Sequence, residues 1–509
     1  MVSVTFSKNS IDQQKADGIA IFVPENFVFN DNLAHLAATY FPALQELVKK
    51  KNFTGKALSS LIVTGARDSQ PVDLIFMGLG AGNKDGVIDT ETYRRAIGHI
   101  IRIVEKRKIS TLALALPHIN LFNNNAYDIV YETTLIIDMA LYHFDQFITQ
   151  KERKYTDLKE IVCVAPDNQE YPDQEVKRAM QDAHVVSKSV NQTRHWIDLP
   201  PIMLTPAYFA GQAQEIAQKS GLKCTVFAEE EIKVMGMGGL AGVSRGSDQD
   251  CQLVVLEYKC NIANAPTVAF VGKGVTFDSG GLSLKPAASM ETMKEDMSGA
   301  AAVISSLEAL AALKPKINII GIAPITENLP SGKALKPGDI VTFYNGKTAE
   351  IKNTDAEGRL ILADALSYAV KNYKLDAIID LATLTGACAY ALGPFFSGLM
   401  SQHDEFTERV ICAARASGDR VWRLPLDDDY KPAIKTPVAD ISNIGSKRYN
   451  AGAITAAFFL QAFVDEVPWV HLDIAGTAFD VPDISYYRPE SGTGVGVRLL
   501  IDLAMNWKQ

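Results

Sequence analysis

Four carboxylates stand out by their positions. Asp278 lies within the run Gly272-Lys-Gly-Val-Thr-Phe-Asp-Ser-Gly-Gly281. Asp296 lies just ahead of the alanine-rich stretch that begins at Ser298. Asp355 and Glu357 belong to Asn353-Thr-Asp-Ala-Glu-Gly-Arg-Leu360. All four fall in loop or strand-to-helix contexts, with glycines nearby that let backbone approach a ligand closely. Converging in one pocket, four carboxylates would repel and could not all stay ionised. Two divalent metals sharing carboxylates would neutralise them. Oxygen ligands without His or Cys favour Mn, Mg or Zn. Lys273 sits among them; beside two cations its pKa should fall, and a neutral amine could itself be a ligand. Lys285 follows closely. The plainer alternative is helix capping by Asp296 and Asp355, with the lysines as surface charges. That serves any one residue equally well, but caps do not need the glycine around the whole set.

Other chemistries find no support. Gly78-Leu-Gly-Ala-Gly has its third glycine misplaced for a dinucleotide site and reads as a strand-to-loop turn. There is no P-loop and no H-E-x-x-H. His195 and His471 read as helix-end or core histidines rather than ligands. Six cysteines without a C-x-x-C pair suit a reducing compartment and no disulfide scaffold.

The segments Gly272 to Pro286, Met293-Lys-Glu-Asp-Met-Ser-Gly-Ala300 and Asn353 to Leu360 resemble the signatures of the leucyl aminopeptidase (cytosol aminopeptidase) family, the last being highly specific. Ala323-Pro-Ile-Thr-Glu-Asn, Asp380-Leu-Ala-Thr-Leu-Thr-Gly386 and His471-Leu-Asp-Ile-Ala-Gly476 also have family counterparts. The resemblance implies Lys273, Asp278, Asp296 and Glu357 as ligands of a tighter metal, and Asp278, Asp355 and Glu357 as ligands of an exchangeable one. It makes Lys285 the lysine that stabilises a developing oxyanion, and Arg359 the holder of a bicarbonate that acts as general base. Met293, Thr383, Leu384, Gly386, Ala475 and Ala478 would shape the substrate pocket, with the backbone of Leu384 and Gly386 holding the peptide. Ala478 is small, so a roomy pocket accepting Leu, Met and Phe is expected. The implied activity is release of N-terminal residues from peptides, with a free α-amine needed at the metals. The implied assembly is a homohexamer, a dimer of trimers. Departures are Asp198 and Ile202, where the family often has Asn, and Asn450-Ala-Gly452, where a Gly-Gly pair is commoner.

The elements that must position these residues read as α/β. Residues 1–172 alternate apolar strands (from Gly18, Ser60, Leu74, Thr111 and Ile161) with helical patterns, giving a mostly parallel sheet with helices on both faces. This N-terminal domain is expected to serve assembly or regulation. Residues 173–196 form one long helix joining the domains, with Val176, Met180, Ala183, Val186 and Val190 as an apolar stripe. Residues 197–509 form the second, catalytic α/β domain, whose strands from Thr267, Ile317, Ala377 and Val470 are nearly all apolar. In such sheets ligands bind beyond the carboxyl ends of the strands.

At 509 residues the chain exceeds one ordinary core. It is 47% hydrophobic and carries a formal net charge of -9, which argues against nucleic acid as the main partner. A DNA-binding role, which some bacterial relatives perform with this fold, and a carboxylate-metal phosphatase are the competing readings. The first residues show no signal peptide pattern. Ala377 to Met400 reads as a buried strand and a loop rather than a membrane span. A cytoplasmic enzyme is expected.

Overall fold

Alternating apolar runs and amphipathic segments form two compact units in the computed structural model, which describes residues 2–150, 156–167 and 169–507. One unit is Met1–Ser187 with Asp483–Arg488; the other is Lys188–Pro482 with Pro489–Gln509.

The first unit holds β1 (Ser3–Ser7), β2 (Gly18–Pro24), β3 (Ser60–Arg67), β4 (Gln70–Gly80), β5 (Thr111–Ala115) and β6 (Glu160–Val164). They pair in the order β1-β6-β5-β2-β4-β3, and β3 alone runs antiparallel to its neighbour. Successive residues of a strand face opposite sides. Val23 accordingly joins a cluster with Leu33 and Leu36 of the helix Asp31–Tyr40. Phe22 meets Tyr93 of the helix Thr90–Arg107, edge to face at 5.1 Å. Helices therefore cover both faces. The sequence pattern did not disclose β1 or the helix Asp31–Tyr40.

The second unit contains β7 (Lys223–Ala228), β8 (Gln252–Tyr258), β9 (Thr267–Gly272), β10 (Gly274–Asp278), β11 (Asn318–Asn328), β12 (Ile340–Thr342), β13 (Thr348–Glu350), β14 (Ala377–Ala382), β15 (Ser397–Met400), β16 (Val421–Arg423), β17 (Ile441–Ser442) and β18 (Trp469–Asp473). The main sheet runs β16-β15-β18-β14-β9-β11-β8-β7, with β10 beside β11. Its centre, β18-β14-β9-β11, is parallel; β8 and β15 pair antiparallel with β11 and β18. Apolar runs alone do not encode strand direction, so these antiparallel strands were not legible. On β11, Ile320 and Ile322 share a core with Leu362 and Leu366 of the helix Gly358–Asn372. A Cβ on Gly321 between them would strike Leu307 of the helix Ser298–Leu313 at 2.9 Å, so this sheet too is covered on both faces.

The helix Asp173–Asp198 is continuous, and the division between units falls within it, after Ser187. Asp198 at its end accepts hydrogen bonds from Ser491 Oγ (2.7 Å) and the Gly492 amide (2.8 Å), while Ile202 is 85% exposed. Asn450 adopts a left-handed φ of 42°. The segment Ala377 to Met400 is β14, a short helix (Gly386–Leu392) and β15, so it holds a helix where only a loop was expected. Among the described residues, one helical run, Ala287–Leu313, has the length and hydropathy of a span, and 78% of its apolar window is buried in the fold.

Candidate active site

The carboxyl ends of the central strands carry the acidic residues. Lys273 stands between β9 and β10, and Asp278 ends β10. Asp296 follows a single helical turn (Met293–Glu295), and Glu357 directly precedes the helix Gly358–Asn372. A Cβ on Gly299 would sit 2.1 Å from the Leu381 carbonyl, and one on Gly272 2.3 Å from the Gly299 carbonyl. Side chains at either position would push the helix Ser298–Leu313, and Asp296 with it, off the strand ends.

These residues form one connected nest. Lys273 Nζ lies 2.7 Å from Asp296 Oδ1 and 2.8 Å from Glu357 Oε1, and donates to the Thr383 carbonyl at 2.8 Å. Lys285 Nζ lies 2.8 Å from Asp278 Oδ2 and 2.6 Å from Asp355 Oδ1. Asp278 Oδ1 also accepts from the Gly280 amide and Asn328 Nδ2, each at 2.8 Å. One oxygen each of Asp278, Asp355 and Glu357 lie within 4.8 Å of one another, which suits a shared cation. Asp296 Oδ2 is buried without a hydrogen-bond partner among the described residues, although Oδ1 accepts from both Lys273 and Thr383 Oγ1 (2.7 Å). A buried, unpartnered carboxylate oxygen is costly and invites a cation.

The electrostatics agree. Burial raises Asp278 to about 6, with Glu357 and Asp355 adding to the rise and the two lysines opposing it. Burial likewise raises Asp296 well above the carboxylate range, against Lys273. Burial acts the same way on Glu357, but Lys273 and Lys285 outweigh it and hold that acid low. For Lys273, burial disfavours the charge, yet Asp296, Glu357 and Asp278 prevail and hold the ammonium above its ordinary range. Among protein groups alone Lys273 is therefore a cation; the fall expected beside two metals concerns the loaded site. The acids outnumber the lysines two to one in a buried setting, so added positive charge is what the site lacks.

Arg359 lies on the first turn of the same helix as Glu357's neighbour Gly358, and donates from Nη1 to the Asn443 carbonyl at 2.8 Å. Its Nε is buried without a partner among the described residues. Burial lowers it to about 10, against the pull of Glu357, Asp473 and Asp355. An anion beside that N–H would satisfy both charge and hydrogen bond.

The residues expected to shape the pocket divide. Thr383 is buried and fully engaged, its hydroxyl on Asp296 and its carbonyl on Lys273, so it supports the nest instead of forming an open wall. The Leu384 amide donates to Asp473 Oδ1 at 3.2 Å and is not free for a peptide. Met293, Leu384 and Ala475 are half-buried and Gly386 is exposed. Ala478 is 0% exposed, with its carbonyl bound by the Thr493 amide at 2.9 Å. Its methyl group does not open onto accessible space, so the extra room expected there is not formed. His471 is a core residue, as expected: it is 0% exposed and bonds Asp380 Oδ1 at 2.6 Å.

Three organising residues escaped the sequence reading. Asn328, ending β11, bridges Asp278 and the Thr354 carbonyl (3.1 Å). Asn443 fixes the octapeptide by accepting from the Lys352 amide (2.8 Å) and donating to the Asn353 carbonyl (2.6 Å). Asp473, ending β18, accepts from the Leu384 and Ala475 amides and from Thr385 Oγ1 (2.6 Å). Asn328 and Asp473 each close an apolar strand and lie in the family-like segments that start at Ala323 and His471, but neither stands out there as a site residue; Asn443 carried no signal.

Residues 191–501 match the family model described as the cytosol aminopeptidase family, catalytic domain, and residues 20–151 match that family's N-terminal domain. A probable cytosol aminopeptidase of Alkaliphilus oremlandii is 37% identical over 510 residues, covering 100% of both chains. One from Syntrophotalea carbinolica is 40% identical over 491 residues, 96% of this chain and 97% of that one. Among solved structures, a tomato leucine aminopeptidase variant superposes with a TM-score of 0.85 at 30% identity, covering 99% of this chain and 96% of that chain. The bottromycin maturation enzyme BotP in complex with Mn gives 0.83 at 31%, covering 97% and 100%.

Proposed function

The chain belongs to the cytosol aminopeptidase family and is a metal-dependent peptidase; from this premise we propose that its acidic nest binds two divalent ions and cleaves N-terminal residues from peptides, Leu and other apolar ones first. The supporting observation is the convergence of Asp278, Asp355 and Glu357 beside the unpartnered Asp296 Oδ2. Lys273, Asp278, Asp296 and Glu357 would hold one ion, and Asp278, Asp355 and Glu357 the other. Mn or Zn suits the set, with Mg a third choice. Bound there, the ions supply Lewis acidity and an acidified water.

The chain's own residues do the rest. Lys285, 15% exposed at its side chain, is the cation of the nest that reaches toward solvent, and its ammonium can donate to an oxyanion developing on the scissile carbonyl. Arg359 offers its unpartnered Nε to bicarbonate, whose chemistry is that of a general base. Asp473 orients the Leu384–Gly386 segment, whose backbone would align a peptide main chain. Met293 and Ala475 would line the first side-chain pocket.

The broader reading is a cytoplasmic enzyme of peptide turnover, acting as a homohexamer with residues 1–172 serving assembly or regulation and 197–509 catalysis. The test is hydrolysis of a panel of aminoacyl amides, beside a phosphate ester, by wild type, Lys285→Ala and Asp355→Ala with bound metal quantified. Leucyl amide turnover that needs two ions per chain and both residues is expected. Phosphate ester turnover, or amide turnover by metal-free protein, would overturn the reading.

A further inference from the structure

The first unit contains a cavity of about 470 Å³ at the carboxyl ends of β2, β5 and β6, far in sequence from the acidic nest. Its position follows from topology. β2 and β5 are parallel neighbours, yet the chain leaves them toward opposite faces. After β2 it enters the helix Asp31–Tyr40, which packs on the Val23 face. After β5 it enters the helix Ala126–Leu141, whose Thr133 bonds Tyr93 Oη at 2.6 Å on the Phe22 face. Adjacent parallel strands whose connections diverge leave a crevice between them, the usual ligand position in open α/β sheets.

The lining says what kind of ligand fits. The walls are apolar: Ile21, Val23, Leu33, Leu36, Leu116 and Leu121. The mouth is polar, and among the described lining residues there is no Lys or Arg. Asp167 is the acid there, with Oδ2 accepting from Asn32 Nδ2 at 2.9 Å. The helix that opens at the mouth would otherwise attract anions. Its cap is already satisfied by Asn30, which accepts from the Leu33 amide, and its first turn carries Asp31. Phosphates and carboxylates therefore meet no permanent positive charge, His118 being the one basic side chain among the described lining residues, whereas a cation meets Asp167. The volume lies in the range of small-molecule sites.

We infer that this cavity is a second binding site, for a small apolar molecule bearing an ammonium group, with the apolar body between β2 and β5 and the ammonium at Asp167.

The test uses the full chain and three matched probes: 4-phenylbutylamine, 4-phenylbutanol and 5-phenylpentanoate. Crystals soaked with the amine are expected to show it in this cavity. By calorimetry the amine should bind about fivefold more tightly than the alcohol, the scale of one exposed ion pair, and the acid more weakly than both. Asp167→Asn, at an exposed position, should abolish the preference for amine over alcohol. Ala115→Leu, which narrows the cavity, should weaken both. If Ala115→Leu fails to fold, the Asp167→Asn comparison decides alone. An empty cavity in soaked crystals, equal binding of acid and amine, or a preference unchanged in Asp167→Asn would overturn the inference.

Discussion

A Cβ placed on Gly358 would sit 2.5 Å from Lys273 Cε and 2.8 Å from its Nζ. The start of one helix is thus hollowed to let a buried lysine pass from the end of β9 to the acids. Gly358→Ala is expected to displace Lys273 and lower both bound metal and kcat, even though alanine is favoured over glycine in a helix by about 1 kcal/mol. Metal analysis with steady-state kinetics checks it; a fully active, fully loaded variant would mean Lys273 is not needed where it stands.

Lys285→Ala removes the cation shared by Asp278 and Asp355. Loss of one group that stabilises an oxyanion lowers kcat about 100- to 1,000-fold. The expected result is that loss with the two ions retained. A drop fully explained by lost metal would assign Lys285 to holding the acids apart.

Arg359 predicts a response to bicarbonate. Wild-type turnover in carbonate-depleted buffer should rise on adding bicarbonate, and Arg359→Ala should lose that response while still binding metal. An identical response in both proteins would remove Arg359 from the role.

His471 and Asp380 give a pH prediction. Burial alone would lower the histidine, but the charge and hydrogen bond of Asp380 outweigh it and hold His471 above its ordinary value. A histidine more basic in the fold contributes its full stabilisation below about pH 6.5 and loses it as pH rises through the folded value. Urea melts should therefore show this contribution fading upward from pH 6.5. Asp380→Asn should flatten that slope and cost about 3 kcal/mol, since it leaves one partner of a buried pair alone.

Ala478→Met tests the enclosed position. With no exposed surface, the added atoms should cost about 1–3 kcal/mol by overpacking and leave the ratio of Leu to Phe turnover unchanged. A sharpened preference for Leu with unaltered stability would restore Ala478 to the pocket wall.

Much of the site was legible because its chemistry is written in short contiguous runs. The glycines around Lys273 and Asp278, and the octapeptide at 353–360, carry both ligands and close approach within a few residues. What escaped depends on neighbours distant in the chain. Asp473 matters because β18 lies beside β14, and Asn443 because β17 pairs with β13. Thr383 reads as a wall residue in the sequence, but its hydroxyl donates to Asp296, distant in the chain. The apolar strands were recognisable, but apolarity on both faces is compatible with either direction, so the antiparallel β8 and β15 were invisible.

The nest draws on separate crossings of one sheet: Lys273 is 23 residues from Asp296 and 110 from Thr383. An unfolded chain holds no preassembled chelate, only dispersed weak donors. Long-range pairing of this kind forms late, so inorganic ions would arrive after the scaffold closes and would act as a latch on the finished fold, slowing unfolding far more than they hasten refolding.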